Sequence, residues 1–168
     1  MRDTRLMSPW RKAATQALIS GSAASVISAL ALALRGLHDV RSAAGPNNGP
    51  SQWVYGRRAA YRRGASVRNT LVGYLVHHLS SFGWALLHER VFGQPRAAPS
   101  VKQRLGAAVL TAATANFVDF NVAPRRLRPG FEVQLSRISL LVVYAAFAAG
   151  LAIGSEIAHR RQKSPDQF

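Results

Sequence analysis

Residues 13–34, AATQALISGSAASVISALALAL, form a run of 22 positions without Asp, Glu, Lys or Arg. A helix needs about 20 mostly apolar residues to cross the roughly 30 Å hydrocarbon core of a bilayer. Only a helix or a closed barrel satisfies its own backbone hydrogen bonds there. The length and composition of this stretch therefore predict a membrane-spanning helix.

Three further uncharged stretches follow, and arginine-rich connections separate them. Nearly all of the 22 basic and 7 acidic residues lie in these connections or in the termini. The pattern predicts an all-α, polytopic transmembrane four-helix bundle with short arginine-rich connections, forming one membrane domain over residues 1–168. The predicted spans cover about 13–34, 69–88, 105–123 and 138–157.

The first span could instead be a secretory signal, because Arg2, Arg5, Arg11 and Lys12 precede it. Signal peptides carry about 7 to 15 apolar residues, and this run is longer and is followed by further spans. We therefore expect an uncleaved span.

The formal net charge of +15 raises the alternative of a nucleic-acid binder. The segment 51–67 contains Arg57 and Arg58 with Trp53, Tyr55 and Tyr61 nearby. Basic and aromatic residues of this kind are also typical of membrane interfaces. We expect an interfacial basic segment at about 51–67, anionic membrane lipids as partners, and no nucleic acid.

Small residues recur every four positions in the first and last spans. Gly21 and Ser25 belong to such a row in the first span, and Gly150 and Gly154 form a GxxxG motif in the last. Rows of small residues let helix backbones approach closely. The pattern predicts helix packing through these four residues, within one subunit, in a homo-oligomer or in a larger membrane complex.

Three histidines lie in the second span, with His77 and His78 near its middle and His88 at its end. Ionisable groups inside a membrane are candidates for function, and histidine serves as a proton relay, a metal ligand or a haem ligand. A metal would need further ligands, for which Thr111 and Asn116 are the nearest candidates. A haem would need its second histidine from a symmetric partner chain. No cofactor and no metal site are predicted, and packing hydrogen bonds are the simpler interpretation.

The end of the third span is polar and leads into an arginine-rich connection. If the second and third spans are antiparallel neighbours, Asp119 lies beside Arg68, and an ion pair between them is expected. Arg125, Arg126 and Arg128 lie on the same side. The five residues predict a polar cap that binds anionic lipid or a partner through its guanidinium groups. The alternative is that Asp119 and Glu132 only neutralise arginines while the connection joins the third and fourth spans.

Residues 118–132, VDFNVAPRRLRPGFE, carry a recognisable signature in Asp119, Pro124–Leu127 and Pro129–Glu132. This segment resembles a V-D-[FY]-x-x-x-P-[KR]-R-L-x-P-G-[FW]-E pattern of small, uncharacterised proteobacterial inner-membrane proteins. The resemblance implies a multi-pass protein of the bacterial inner membrane with four spans. It implies no catalytic residue, because no activity is assigned to that family.

Common catalytic patterns are missing from the sequence. It has no GxSxG elbow, HExxH helix or P-loop, and no cysteine.

The orientation in the membrane is not decided by the basic residues, because eleven of them fall on each side of the predicted bundle. The basic N-terminal flank favours cytoplasmic termini. We expect a non-enzymatic structural or accessory protein. The alternatives are a small transporter or proton-conducting protein that uses His77 and His78, or a haem- or metal-binding membrane protein.

Overall fold

The computed structural model describes residues 8–93 and 99–163, and every regular element in these ranges is helical. The α-helices are α1 Pro9–Val40, α2 Ala44–Asn48, α3 Gln52–Tyr55, α4 Val72–Phe92, α5 Val101–Phe117 and α6 Arg137–Lys163. Short 3-10 turns lie at Gly49–Ser51, Arg57–Tyr61 and Phe131–Val133, and π turns lie at Val67–Leu71 and Val118–Val122. The predicted all-α class is confirmed for the described residues.

Three helices are long and apolar enough to cross a membrane. They are α1, α5 together with its π turn to Val122, and α6 as far as Arg161. The fourth long helix, α4, has 21 residues with His77 and His78 in its middle, and it is not among the helices that are apolar enough to cross a membrane by length and composition. Arg2 and Arg5 of the predicted N-terminal flank lie outside the described residues.

Local capping signals explain where two of the long helices begin. Ser8 accepts a hydrogen bond from the backbone N–H of Arg11, and Pro9 occupies the first helical position of α1. Ser100 and Gln103 form a reciprocal capping box at the start of α5. These side chains satisfy N–H groups that have no partner inside the helix.

Helix α1 occupies the centre of the packing. It contacts α6 and α4 most extensively, and α5 packs on α6. Helices α4 and α5 contact each other much less, although they are consecutive in the chain. The expectation that they are close antiparallel neighbours therefore needs correction, because each packs mainly on a different helix of the α1–α6 pair.

Glycines bring α1 and α6 close together. A Cβ added to Gly150 would lie 2.7 Å from the Cα of Ala24, and one added to Gly154 would lie 2.6 Å from the Cα of Ser20. Gly21 faces α4 instead, with the Cα of Phe82 3.0 Å from its would-be Cβ. The small residues thus place both neighbours against the backbone of α1.

One end of the long helices is covered by residues 41–71 and 123–136, which we call the cap. Asn48 is fully buried there, and its Nδ2 donates to the carbonyl oxygens of Arg62 at 2.8 Å and Gly64 at 3.0 Å. Gln134 Nε2 donates to the carbonyls of Gly45 at 3.0 Å and Ala60 at 2.5 Å. Buried amide side chains therefore hold the short helices of the cap together. The opposite end of the long helices is called the far end.

Candidate functional site

The cap presents a basic surface. Eight of its arginines are exposed and form no ion pair within the described ranges: Arg41, Arg57, Arg58, Arg62, Arg63, Arg68, Arg125 and Arg126. We call this group the arginine face. The Arg–carboxylate pairs that the described residues do form lie elsewhere, joining Arg35 to Asp39 on α1, and Arg104 and Arg160 to Glu156 at the far end.

The backbone below the arginine face is held in place while its side chains remain in solvent. Ser42 Oγ donates to the carbonyl oxygen of Arg63 at 2.5 Å, and Asn48 binds the carbonyl of Arg62. Trp53 and Tyr61 are exposed on the same segment. Residues 51–67 thus contain α3 and the 3-10 turn Arg57–Tyr61, and they carry exposed guanidinium groups beside aromatic rings.

The expected ion pair between Asp119 and Arg68 does not form. The guanidinium of Arg68 lies over the ring of Tyr55, 4.4 Å from its centroid. Asp119 instead accepts a hydrogen bond of 2.6 Å from the hydroxyl of Tyr144 on α6. The prediction was wrong because α5 packs on α6, which directs Asp119 into the helix interface and away from the start of α4.

The other predicted cap residues have different roles. Arg125 and Arg126 are exposed, whereas Arg128 is partly buried, and its carbonyl accepts hydrogen bonds from Gln52 Nε2 at 2.6 Å and from Trp53 Nε1 at 3.0 Å. Arg128 therefore ties α3 to the loop after α5 through its backbone. Of the five predicted residues, Arg68, Arg125 and Arg126 are exposed, whereas Asp119 and Arg128 are partly buried.

Asp119 lines a cavity beneath the cap with a volume of about 60 Å³. Side chains of α1, α4, α5, α6 and the cap surround it. Its polar lining comprises Ser28, His77, Ser80, Ser81, Asp119 and Tyr144. Its aromatic lining comprises Trp53, Trp84, Phe131, Tyr144 and Phe147. In this cavity a predicted histidine, His77, and the predicted aspartate line a common space.

Glu132 lies next to this region in the cap. Burial raises the pKa of its carboxyl, and the positive charges of Arg128 and Arg57 oppose that rise. Its Oε2 atom is buried without a hydrogen-bond partner among the described residues. Glu132 also acts on Asp119 as a second negative charge. Glu132 and Asp119 thus lie near each other, and Asp119 forms no ion pair with an Arg or Lys within the described residues.

The three histidines of α4 face different surroundings. His77 Nε2 forms a 2.9 Å hydrogen bond with the hydroxyl of Ser28 on α1, and His88 Nδ1 forms one of the same length with Thr111 on α5. The His78 ring packs beside Tyr74. Since His77 and His88 are eleven residues apart, they are separated by about 16 Å along the helix. No direct relay joins them.

A buried polar cluster at the far end was not anticipated. Glu89 is completely buried, and its Oε2 lies 3.2 Å from His159 Nε2 on α6. Gln16 Nε2 of α1 lies 3.5 Å from the same histidine nitrogen. Glu89 was missed because the uncharged stretch ends at His88, whereas α4 continues by another turn. Its spacing of four residues from the buried Ala85 is the signal that places it on the inner face.

No group of three or more His, Cys, Asp or Glu residues that could hold a metal ion occurs in residues 8–93 and 99–163. Thr111, considered as a ligand beside His77 and His78, is bonded to His88 instead. The described geometry therefore does not assemble the ligands that a metal site at the two central histidines would need.

Comparison with known proteins adds no further assignment. The chain matches no protein-family model, and no curated protein and no solved structure is significantly similar to it.

Proposed function

We propose that this chain is a non-enzymatic, four-span protein of the bacterial inner membrane whose arginine face binds anionic lipid headgroups. The observation that carries the proposal is the set of eight exposed cap arginines that form no ion pair within the described residues. Each basic residue near an anionic membrane surface contributes about 1 kcal/mol. Guanidinium groups also bind phosphate through two parallel hydrogen bonds.

The aromatic residues of the cap support this role. Trp53, Tyr55 and Tyr61 are exposed beside the arginines. Tryptophan and tyrosine concentrate at the headgroup level of membranes, because one side of each ring system is apolar and the other carries a polar group. An exposed surface that combines these residues with unpaired arginines suits a lipid interface better than bulk water.

In this proposal α4 is the fourth span. It packs against α1 along its length, its 21 residues match the thickness of a bilayer core, and its central histidine His77 is satisfied by Ser28 rather than left in lipid. The resemblance of residues 118–132 to small proteobacterial inner-membrane proteins supports the location.

Native mass spectrometry of the protein in mild detergent tests lipid binding. The probes are dioleoylphosphatidylglycerol, which is anionic, and dioleoylphosphatidylcholine, which carries no net charge. We expect the wild type to bind the anionic lipid preferentially. A variant with Arg57, Arg58, Arg62 and Arg63 changed to Gln should bind it at least about tenfold more weakly.

The matched control changes four exposed basic residues of the far end, Arg11, Arg90, Lys102 and Arg161, to Gln. It removes the same charge from the other end, so a general effect of net charge would appear equally in both variants. The proposal predicts nearly unchanged lipid binding by the control. Equal losses in the two variants would contradict a specific role of the arginine face.

One observation favours transport or proton conduction as a second candidate. His77 lines the cavity from α4, and its bond to Ser28 connects it to α1 in the middle of the helices. In vesicles with a fluorescent pH indicator inside, the change of His77 to Phe should abolish any proton flux of the wild type. Flux that persists in this variant would remove the candidate.

A further inference from the structure

The cavity beneath the cap is chemically unlike the arginine face above it. The arginine face offers only positive charge, whereas the cavity contains the carboxylate of Asp119. One oxygen of that carboxylate accepts from Tyr144. A phosphate group would meet a negative charge here, so the cavity does not suit the ligand of the arginine face.

The charge of Asp119 has no counter-ion in the described parts of the chain. No Arg or Lys side chain forms an ion pair with it there, and the charged neighbour that acts on it is the carboxylate of Glu132. A negative charge among apolar side chains is costly unless it is paired. A cationic ligand in the cavity would pair this charge.

The lining of the cavity favours an organic cation. Five aromatic residues surround it: Trp53, Trp84, Phe131, Tyr144 and Phe147. Aromatic faces attract ammonium groups, most strongly where water is excluded. His77 already uses its Nε2 atom in the bond to Ser28. The carboxylate, the aromatic rings and the hydroxyls of Ser80 and Ser81 are thus among the groups that line the space for a ligand.

The size and position of the cavity restrict the ligand further. Its volume of about 60 Å³ is smaller than the roughly 150 Å³ cavity that binds benzene in an engineered protein. Helices α4 and α5 form two of its walls. A cavity of this size suits a small head group.

We propose that the cavity binds an alkylammonium group, with Asp119 as its counter-ion and the aromatic side chains around its substituents. The group belongs either to a free small amine or to the headgroup of an ammonium-bearing lipid. This site is separate from the arginine face and does not depend on it.

Tryptophan fluorescence of the purified protein in mild detergent measures binding, because two of the three tryptophans, Trp53 and Trp84, line the cavity. The probes are choline and its uncharged isostere 3,3-dimethyl-1-butanol. We expect a saturable change with choline and binding of the isostere that is weaker by about tenfold or more. Equal binding of the two probes, or no binding of choline, would overturn the proposal.

Substitutions test whether the carboxylate of Asp119 binds the ammonium group. The change of Asp119 to Asn should weaken choline binding by about tenfold or more, whereas Asp119→Glu should retain most of it. The matched control is Glu156→Gln, which removes a carboxylate at the far end and should leave binding unchanged. Wild-type affinity in Asp119→Asn would refute the assignment.

Gel filtration and circular dichroism establish whether each variant is folded. If Asp119→Asn does not fold, Phe147→Leu keeps the carboxylate and both cavity tryptophans but removes one aromatic ring. It should bind choline several-fold more weakly, and an unchanged affinity would count against the proposal.

A competition experiment identifies the source of the group. Phosphatidylethanolamine should displace choline if the natural ligand is a lipid headgroup, while phosphatidylglycerol, which lacks an ammonium group, should not. If neither lipid competes, the ligand is a free amine. Displacement by phosphatidylglycerol that equals displacement by phosphatidylethanolamine would contradict an ammonium site.

Discussion

The two ends of the helices contain equal numbers of basic residues in the sequence, but their acids are arranged differently. At the far end, Glu89 pairs with His159, and Glu156 pairs with Arg104 and Arg160. Beneath the cap Asp119 bonds to Tyr144, and within the cap Glu132 is partly buried, so most of the cap arginines form no ion pair. The position of the acids therefore decides which of the described arginines are paired, because Arg104 and Arg160 share Glu156 at the far end while the arginine face forms no ion pair.

The far end also differs from the cap in the segments that its polar side chains connect. Its polar cluster joins residues from all four long helices, including Gln16 of α1 and Thr111 of α5. The cap is held mainly by bonds from buried amides to backbone carbonyls, which leave its guanidinium groups unused. We infer that the far end serves stability and that the cap and its cavity serve binding.

The largest effect on stability is expected from substitutions that push α1 and α6 apart, because both helices run between the cap and the far end. The double change of Gly150 and Gly154 to Ala places each new methyl group within 3 Å of the α1 backbone. Because a backbone cannot move aside as a side chain can, α1 and α6 must part, and both ends should be disrupted. Thermal unfolding followed by circular dichroism should show a strongly lowered midpoint or no folded protein.

The control for this change is Gly83→Ala together with Gly106→Ala. Both glycines are helical and have open space where a Cβ would stand. These changes should leave the unfolding midpoint unchanged or raise it, because alanine favours a helix over glycine by up to about 1 kcal/mol per site. A similar loss of stability in the two pairs would show that close approach of α1 and α6 is not the cause.

A smaller effect is expected at the far end from Glu89→Gln. The amide keeps the volume of the side chain but weakens its bond to His159, so we expect a loss of about 1 to 3 kcal/mol. Combination with His159→Gln makes a double-mutant cycle in denaturant unfolding. Losses that simply add would contradict a direct interaction between the two residues.

The smallest effect on stability is expected at the cap from Glu132→Gln. Unlike the substitutions above, this one should stabilise the fold at neutral pH. Because burial raises the pKa of Glu132 above its ordinary value of 4.5, the folded protein binds this proton more tightly than the unfolded chain does. The wild type should therefore lose stability as the pH rises from about 4.5 through the raised pKa. Above that range Glu132→Gln should be the more stable protein.

Unfolding midpoints measured across this pH range test the prediction. The difference between wild type and Glu132→Gln should be small in acid and should grow toward neutral pH. A difference that does not change with pH would mean that the carboxyl of Glu132 is not affected by its burial.

The sequence predicted the helices better than it predicted their partners. Uncharged stretches locate the long helices because charged residues are excluded from a bilayer core, and GxxxG marks a close helix contact because only small residues permit it. The partner of Asp119 depends on which helix α5 packs against, and no local pattern encodes that choice. Arg68 illustrates the same limit, since Tyr55 offers it an aromatic face as an alternative to a carboxylate.

The cavity could not be predicted for a related reason. Trp53 and Phe131 reach it from separate parts of the cap, and Tyr144 reaches it from α6. These residues are far apart in the chain, and aromatic residues near helix ends equally suit a membrane interface. Only the folded arrangement brings them around Asp119.

The measurement that tests the central claim most directly is the labelling of single cysteines from each side of the membrane. The chain contains no cysteine, so every introduced one is unique. The positions are Ala65 and Arg126 in the cap and Arg11 and Arg161 at the far end, all of which are exposed. With α4 as a fourth span, the two cap positions should react from one side and the two far-end positions from the other. If Ala65 and Arg126 react from opposite sides, α4 does not cross the membrane, and the division into two opposite ends is wrong.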